Sequence, residues 1–151
     1  MNYSEINDNL LIGTTPSPSD YDLLRSLGVG LVINMRLERR PFPDTDKPPL
    51  DFLWLPTIDS PLFPIPIQFL KRGAERALLT IQSGKRVFAH CAAGRHRGVA
   101  MGAAILIASG YSSEEAIQLL EDQRQVADPR AYYIRSRILL FARRWKADTI
   151  A

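Results

Sequence analysis

The sequence predicts an α/β domain, a central, mostly parallel sheet of four to five strands flanked by helices. Three observations lead there. Compact β-branched and aliphatic runs ("VGLVINM", "LDFLWLP", "RVFAH") alternate with segments of helical period. Strand–helix alternation produces layered folds whose crossovers make the strands parallel. The chain has 151 residues, the size of one domain, and 46% are hydrophobic. A domain of that size buries roughly 70% of the surface its unfolded chain exposes, so it needs no disulfide or metal staple. Positions 1–151 are therefore read as a single domain.

Taken in order, Tyr3–Ile6 and Leu10–Gly13 read as two short strands around the turn Asn7-Asp8-Asn9. "SPSDYDLLRSLG" reads as a short helix with Ser17 as N-cap, Pro18 at the first helical position and Gly28 as its stop. "VGLVINM" is a buried strand. "RLERRPFPDTDKPP" is too rich in proline and charge for a helix or central strand, so it is a loop before the strand "LDFLWLP". "TIDSPLFPIP" is a second proline-punctuated loop. From Pro66 a helix follows, with Leu70, Ala74, Ala77, Leu78 and Ile81 on one face and Gly84 at its end. "RVFAH" is a strand ending at His90, and "GVAMGAAILIAS" is a helix apolar on nearly every side, hence buried. Ser112 to Glu115 has capping-box spacing for a helix to about Arg124. Asp128-Pro129 opens a last helix with an apolar stripe of Ile134, Ile138, Phe141, Ala142 and Trp145.

Bulk chemistry excludes several function classes. The net charge of +3 suits anionic ligands and is too small to argue for nucleic acid. No run of about 18 apolar residues occurs, so no membrane span or membrane partner is expected. The N-terminal "MNYSEINDNLLIG" lacks a basic segment followed by a long apolar run, and no signal peptide is expected. One cysteine cannot form an internal disulfide, which points to a reducing, cytoplasmic setting. Oligomeric state is not legible.

The chemistry concentrates in "FAHCAAGRHRGVAM", Phe88 to Met101, which holds the only cysteine and both histidines. This stretch is the turn from a buried strand into the N-terminus of a buried helix. Such a turn aims backbone N–H groups at one spot, and the helix dipole adds positive potential there. That combination binds an oxyanion. Cys91 opens the turn and Arg97 closes it, so the sulfur lies below the anion while the guanidinium grips two of its oxygens. The same field favours thiolate over thiol, and a thiolate beneath a bound phosphate is an in-line nucleophile.

At these residues the sequence resembles the cysteine-dependent protein tyrosine phosphatase superfamily, and most closely its small dual-specificity members. His90, Cys91 and Arg97 match the family pattern H-C-x5-R, and Gly94 matches the glycine common within that loop. "LVINMR" is similar to the strand before the family's variable recognition loop, and "LPTIDSP" to its general-acid loop. The resemblance runs from about Leu10 through the last helix. It implies catalysis by Cys91, Arg97 and Asp59, with substrate held by Ala92, Ala93, Gly94, Arg95, His96 and Gly98. His90 would order the loop and tune the thiolate. Asp59, 32 positions before Cys91 in a proline-rich loop, would protonate the leaving oxygen and later accept a proton from water. Asp44, Asp46 and Asp51 are second choices. No metal or cofactor is implied, and the expected partner is a phosphorylated protein or small phosphorylated molecule.

One position departs from the pattern. Gly98 follows the arginine where the family usually has Ser or Thr, whose hydroxyl helps the sulfur leave. A hydrogen bond to a charged atom is worth about 1.5–3 kcal/mol, about 10- to 150-fold in a step that depends on it. A slower enzyme that accumulates phosphocysteine is expected.

Four functions compete on the sequence alone. They are a phosphatase for phosphotyrosine, with phosphoserine or phosphothreonine as further substrates; the same chemistry on a phosphoinositide or inositol pyrophosphate; a phosphate-binding module without turnover; and sulfur transfer of the rhodanese type. "CAAGRHR" resembles the C-x-x-G-K-H-R loop of the inositol-pyrophosphate-cleaving relatives, with Arg95 in place of lysine. The six-position span to Arg97 and the Asp59 loop argue against sulfur transfer. Arg36, Arg39 and Arg40 are read either as contacts to a polyanion or as a solvated loop. Tyr132 and Tyr133 are candidates to approach the pocket, though nothing in the spacing shows it, and the glutamine that positions the hydrolytic water in some members of the resembled family has no clear counterpart, Ile134 standing near its place.

Overall fold

The structure is a computed structural model and describes residues 1–46 and 49–150. Its order is β1 (Tyr3–Glu5), β2 (Leu10–Thr14), a 3₁₀ turn (Pro18–Asp20), α1 (Tyr21–Ser26), β3 (Val29–Arg36), β4 (Asp51–Thr57), α2 (Ile67–Gln82), β5 (Arg86–Cys91), α3 (Arg97–Ala108), α4 (Ser113–Gln123) and α5 (Tyr132–Ile150). The five strands form one sheet in the order β1-β2-β5-β3-β4. Only β1 is antiparallel, because the Asn7-Asp8-Asn9 turn folds it straight back on β2. Asn7 closes that turn by accepting the Asn9 N–H at 2.8 Å.

The apolar runs behave as buried parallel strands should. β5 lies between β2 and β3 and is parallel to both. Its side chains alternate between faces with period two. Val87, Ala89 and Cys91 enter the core under the helices α2 to α5, whereas Phe88 joins Leu11, Tyr21, Leu24 and Val32 on the face covered by α1. The alternation therefore fixes which way the cysteine points: toward α3. Thr14 pairs with Cys91 and Asn34 with His90, so the C-terminal ends of β2, β3 and β5 share one edge of the sheet. In open α/β sheets that edge is where ligands bind.

The helix after β5 is buried from Arg97 to Ile107. Small residues make this depth possible. Alanines of α3 share one core with Leu70, Ala74 and Ala77 of α2 and Ile134, Ile138 and Phe141 of α5, while Gly98 and Gly102 lie against β5 and β2. The predicted capping box of α4 forms as expected: Glu115 N–H donates to Ser112 Oγ at 3.1 Å, and Ser112 N–H to Glu115 Oε1 at 2.9 Å.

Three boundaries differ from the sequence reading. The segment after Ser17 starts as a 3₁₀ turn before α1, with Ser17 N–H donating to Asp20 Oδ2 at 2.9 Å. β5 continues one residue past His90, because Cys91 still pairs with Thr14. Asp128-Pro129 does not open the last helix, which begins at Tyr132. Asp128 is engaged elsewhere: its N–H donates to Arg95 O at 2.9 Å.

Phe141 is 1% exposed, stacks on Trp145 at 5.5 Å between ring centroids, and closes the core beneath α3. Phe141→Ala leaves a cavity and is expected to lower the unfolding free energy by about 3–5 kcal/mol in urea titration. A loss under about 1 kcal/mol would show that α5 contributes little to this core.

Candidate active site

Cys91 ends β5 with its side chain buried, and α3 starts six positions later at Arg97. Between them the backbone turns through Ala92 to His96. Its shape is held from outside. Arg124, at the C-terminal end of α4, is 3% exposed and donates from Nε to Gly94 O at 2.8 Å and from Nη2 to Ala93 O at 3.1 Å. Its Nη1 donates to Ser4 Oγ at 3.1 Å. The Asp128 N–H takes the next carbonyl, Arg95 O. C=O and N–H point in opposite directions across a trans peptide. Anchoring three successive carbonyls outward therefore turns the N–H groups of Gly94, Arg95 and His96 inward. None of the three donates to an acceptor among the described residues. They form an anion-binding concavity together with the uncapped first turn of α3.

Gly94 is required by this geometry. Its φ is +63°, and a Cβ there would stand 2.6 Å from Arg124 Nη2 and 2.8 Å from Gly13 O. Gly98 is tight for a different reason, since a Cβ would approach Cys91 N to 3.3 Å where α3 crosses the end of β5. Ala92 and Ala93 are exposed at the start of the loop.

Arg97 is 3% exposed and half of its fork is already occupied. Nη1 donates to Thr57 O at 2.8 Å and Glu38 Oε1 at 3.0 Å, and Nη2 to Glu38 Oε2 at 3.2 Å. The hydrogen bond from Arg97 pulls the Glu38 carboxyl down to about 2, so it stays ionised. Nε is buried without a partner. The edge left for an anion is thus Nε with the remaining hydrogen of Nη2, held in plane by Glu38 and Thr57 rather than free to swing.

Asp59 follows β4 on the loop before α2, and its carboxylate meets the phosphate-binding turn. Oδ2 is 3.1 Å from His96 Nδ1, and Oδ1 accepts from the Tyr133 hydroxyl at 2.5 Å. Burial opposes ionisation of Asp59. The bonds from Tyr133 and His96 and the charges of His96 and Arg97 outweigh it and hold the carboxyl below its ordinary value. Burial first, then the bond to Asp59, pushes Tyr133 up to about 12.

The other predicted residues separate cleanly. Asp44 and Asp46 pair with Arg25, and Asp51 begins β4 at the opposite end of that strand from Thr57. Among the described residues none of them contacts the turn that Cys91 opens. His96 does not face the loop's centre: its ring lies against Asp59, Tyr133 and Asp128. Arg95 is half-exposed, 3.6 Å from Asp128. His90 is buried; burial pushes its imidazole down to about 3, so it is neutral and its Nδ1 has no partner. Arg36 is structural. It donates to Thr15 Oγ1 at 2.9 Å, and Thr15 donates to Cys91 O at 3.3 Å. Arg39 and Arg40 lie over Phe42 and Trp54. Ile134 is core, and Tyr132 is exposed. Sequence reasoning passed over Glu38, Arg124 and Asp128. The one signal for Glu38 was a lone acid inside "RLERR".

Known proteins share this arrangement of chain. The tyrosine-protein phosphatase yvh1 of Schizosaccharomyces pombe is 25% identical over 146 residues, 96% of this chain and 43% of its own. The crystal structure of PTPMT1 in complex with PI(5)P superposes with a TM-score of 0.82 at 27% identity, over 97% of this chain and 98% of that one. In sequence and in fold the chain is thus similar to phosphatases of the cysteine-dependent protein tyrosine phosphatase superfamily. The fold is also that of a further solved structure. A mouse putative dual specificity phosphatase complexed with zinc tungstate has a TM-score of 0.84 at 23% identity, covering 98% of this chain and 91% of that one. No protein-family model matches the sequence. The chain spans less than half the length of the curated phosphatase it matches.

Arg124→Ala removes three charge-assisted hydrogen bonds, each worth about 1.5–3 kcal/mol and not additive. It is expected to lower the unfolding free energy by about 2 kcal/mol or more and to weaken tungstate binding about tenfold, read by calorimetry. Unchanged tungstate affinity in a folded variant would show that the loop keeps its shape without this anchor.

Proposed function

We propose that the protein is a phosphatase that hydrolyses phosphate monoesters, phosphotyrosine foremost, through a phosphocysteine on Cys91. The observation that carries this reading is the contact of Asp59 with His96, which joins a carboxyl from the loop after β4 to the turn that Cys91 opens. Nucleophile, oxyanion donors and acid then surround one volume.

Each step follows from the groups described. A dianionic phosphoryl group docks on the inward N–H groups and the open edge of Arg97. Charge on its equatorial oxygens meets preorganised donors in a water-poor site, where such donors act most strongly. Cys91 Sγ attacks phosphorus, the P–O bond breaks, and Asp59 gives the leaving oxygen its proton. In the second step water attacks phosphorus, the S–P bond breaks, and Asp59 takes the water's proton. Glu38 contributes by fixing the guanidinium plane before substrate arrives.

A second reading, a phosphoinositide or inositol phosphate substrate, is favoured by Arg39 and Arg40, which are exposed and make no ion pair among the described residues. The relative solved with PI(5)P is consistent with it. An apolar groove of about 310 Å³, lined by Leu37, Thr57, Ile58, Leu62 and Phe63, adjoins the Asp59 loop. It suits the apolar part of a peptide or aryl substrate better than a bare inositol ring.

Hydrolysis of phenyl phosphate is expected to vanish in Cys91→Ser and to fall about 100-fold or more in Asp59→Asn. Asp59 is held below its ordinary value, and only its protonated form serves the first step. The acid form therefore becomes scarcer as pH rises, so kcat/KM should increase on acidification from neutrality, and that dependence should disappear in Asp59→Asn. A pH profile identical in the two enzymes would move the acid elsewhere.

Gly98 supplies no hydroxyl to the departing sulfur. Rapid mixing with 4-nitrophenyl phosphate is expected to show a burst followed by a slower steady state, and Gly98→Ser to raise the steady rate about tenfold. A linear course without a burst would show that dephosphorylation of Cys91 does not limit turnover.

A further inference from the structure

Behind Asp59 stands a cluster that the two-step scheme does not use. His96 presents both ring nitrogens to carboxylates: Nδ1 to Asp59 Oδ2 at 3.1 Å and Nε2 to Asp128 Oδ2 at 3.2 Å. The Tyr133 hydroxyl lies 3.1 Å from the same Nδ1, with ring centroids 5.4 Å apart. Arg95 faces Asp128 from the other side, and Arg97 adds its charge near Asp59. The four side chains come from the acid loop, the phosphate-binding turn, the segment after α4 and the first turn of α5.

We propose that His96 is the positioning residue for Asp59, clamping the acid loop over the phosphate-binding turn and sharing one transferable proton with the acid. The inference rests on the phosphatase reading. A carboxyl that works first as acid and then as base needs a neighbour that accepts a hydrogen bond from COOH and donates one to COO⁻. Imidazole Nδ1 does both. Asp128, a pure acceptor while ionised, keeps Nε2 as N–H in either state, so Nδ1 is the atom that changes. Tyr133 cannot take this part. Its phenol is pushed up to about 12, so it keeps its proton and gives that one hydrogen to Asp59 Oδ1 throughout.

The protons balance across the cycle. Before reaction the shared proton is on Nδ1 and Asp59 is a carboxylate. With substrate bound, that proton crosses to Oδ2. Asp59 passes a proton to the ester oxygen as the S–P bond forms and the P–O bond breaks, leaving a neutral ring and a carboxylate. Water then attacks phosphorus and the S–P bond breaks. The water's proton reaches Asp59 and moves on to Nδ1. The sum is ester plus water giving alcohol plus phosphate.

The proposal differs in its consequences from the sequence expectation that His96 holds substrate. It is tested by measuring kcat/KM, which reports phosphoryl transfer to Cys91 and not the slower hydrolysis of phosphocysteine, for phenyl phosphate, whose leaving group needs a proton, and 2,4-dinitrophenyl phosphate, whose leaving group does not. The enzymes are wild type, His96→Ala, Asp59→Asn and the double variant, with tungstate affinity as the check on loop integrity. His96→Ala is expected to lower kcat/KM for phenyl phosphate about tenfold or more, with tungstate affinity within about twofold. For the dinitrophenyl ester the loss should stay under about twofold, and in the Asp59→Asn background it should vanish. Equal losses for both esters, a further loss in the double variant, or no loss at all would overturn the proposal. If His96→Ala fails to bind tungstate, His96→Asn, which keeps one donor and similar size, is read against the same outcomes. Wild-type turnover that survives Cys91→Ser, or no turnover at all, would instead remove the phosphatase reading itself.

Discussion

The outward anchoring of three successive carbonyls, those of Ala93, Gly94 and Arg95, is the constraint on which the rest of the site depends. A strand-to-helix turn left to itself has no reason to point its amides inward, since water satisfies them as well on the outside. Here a buried arginine and one backbone N–H take the carbonyls first, and planar peptides do the rest. The anion site is therefore formed before any anion arrives. Preorganisation of this kind is what makes donors effective in a transition state, because no reorganisation remains when charge develops.

The same logic extends to Arg97. A guanidinium on a flexible stem loses rotamer freedom when it grips an anion, and a free one would have to be ordered during binding. Glu38, Thr57 O and Met35 O hold it by its far edge and leave Nε open. Glu38 lies on the segment after β3 and Thr57 at the end of β4, and these strands are neighbours in parallel register. The sheet order thus carries the arginine's support to the turn after β5, although the three segments are far apart in sequence.

Most of the fold was legible because it rests on local pattern. Runs such as "VGLVINM" and "RVFAH", and the helical stripe from Leu70 to Ile81, decide strand against helix within a few residues, and their alternation decides the sheet. Cys91, Arg97 and Asp59 were legible because their spacing lies in one loop or follows a known family's pattern. Arg124, Glu38 and Asp128 were not. Their partners lie 30 to 120 positions away, and nothing in composition or period links them. His96 was legible only in part: its position on the turn suggests substrate, and its ring is also directed by Asp59 and Asp128, which the turn's own sequence does not contain. Asp128-Pro129 looked like a helix start because aspartate followed by proline has that chemistry. Tertiary contacts to Arg95 and His96 claimed it instead.

Charge balance in the interior supports an anion as the occupant of this site. Arg97 has a carboxylate partner in Glu38, so that pair is neutral. Arg124 has none among the described residues: its bonds go to two carbonyls and a serine hydroxyl. Burial lowers its proton affinity, and the nearby Cys91 opposes that only in part. A buried cation without a counter-charge is costly, and stability alone would have matched it with a carboxylate or replaced it by an apolar side chain. Retained here, against the outer wall of the loop, it adds positive potential to the concavity lined by the amides of Gly94, Arg95 and His96, which is the charge an anionic guest would balance.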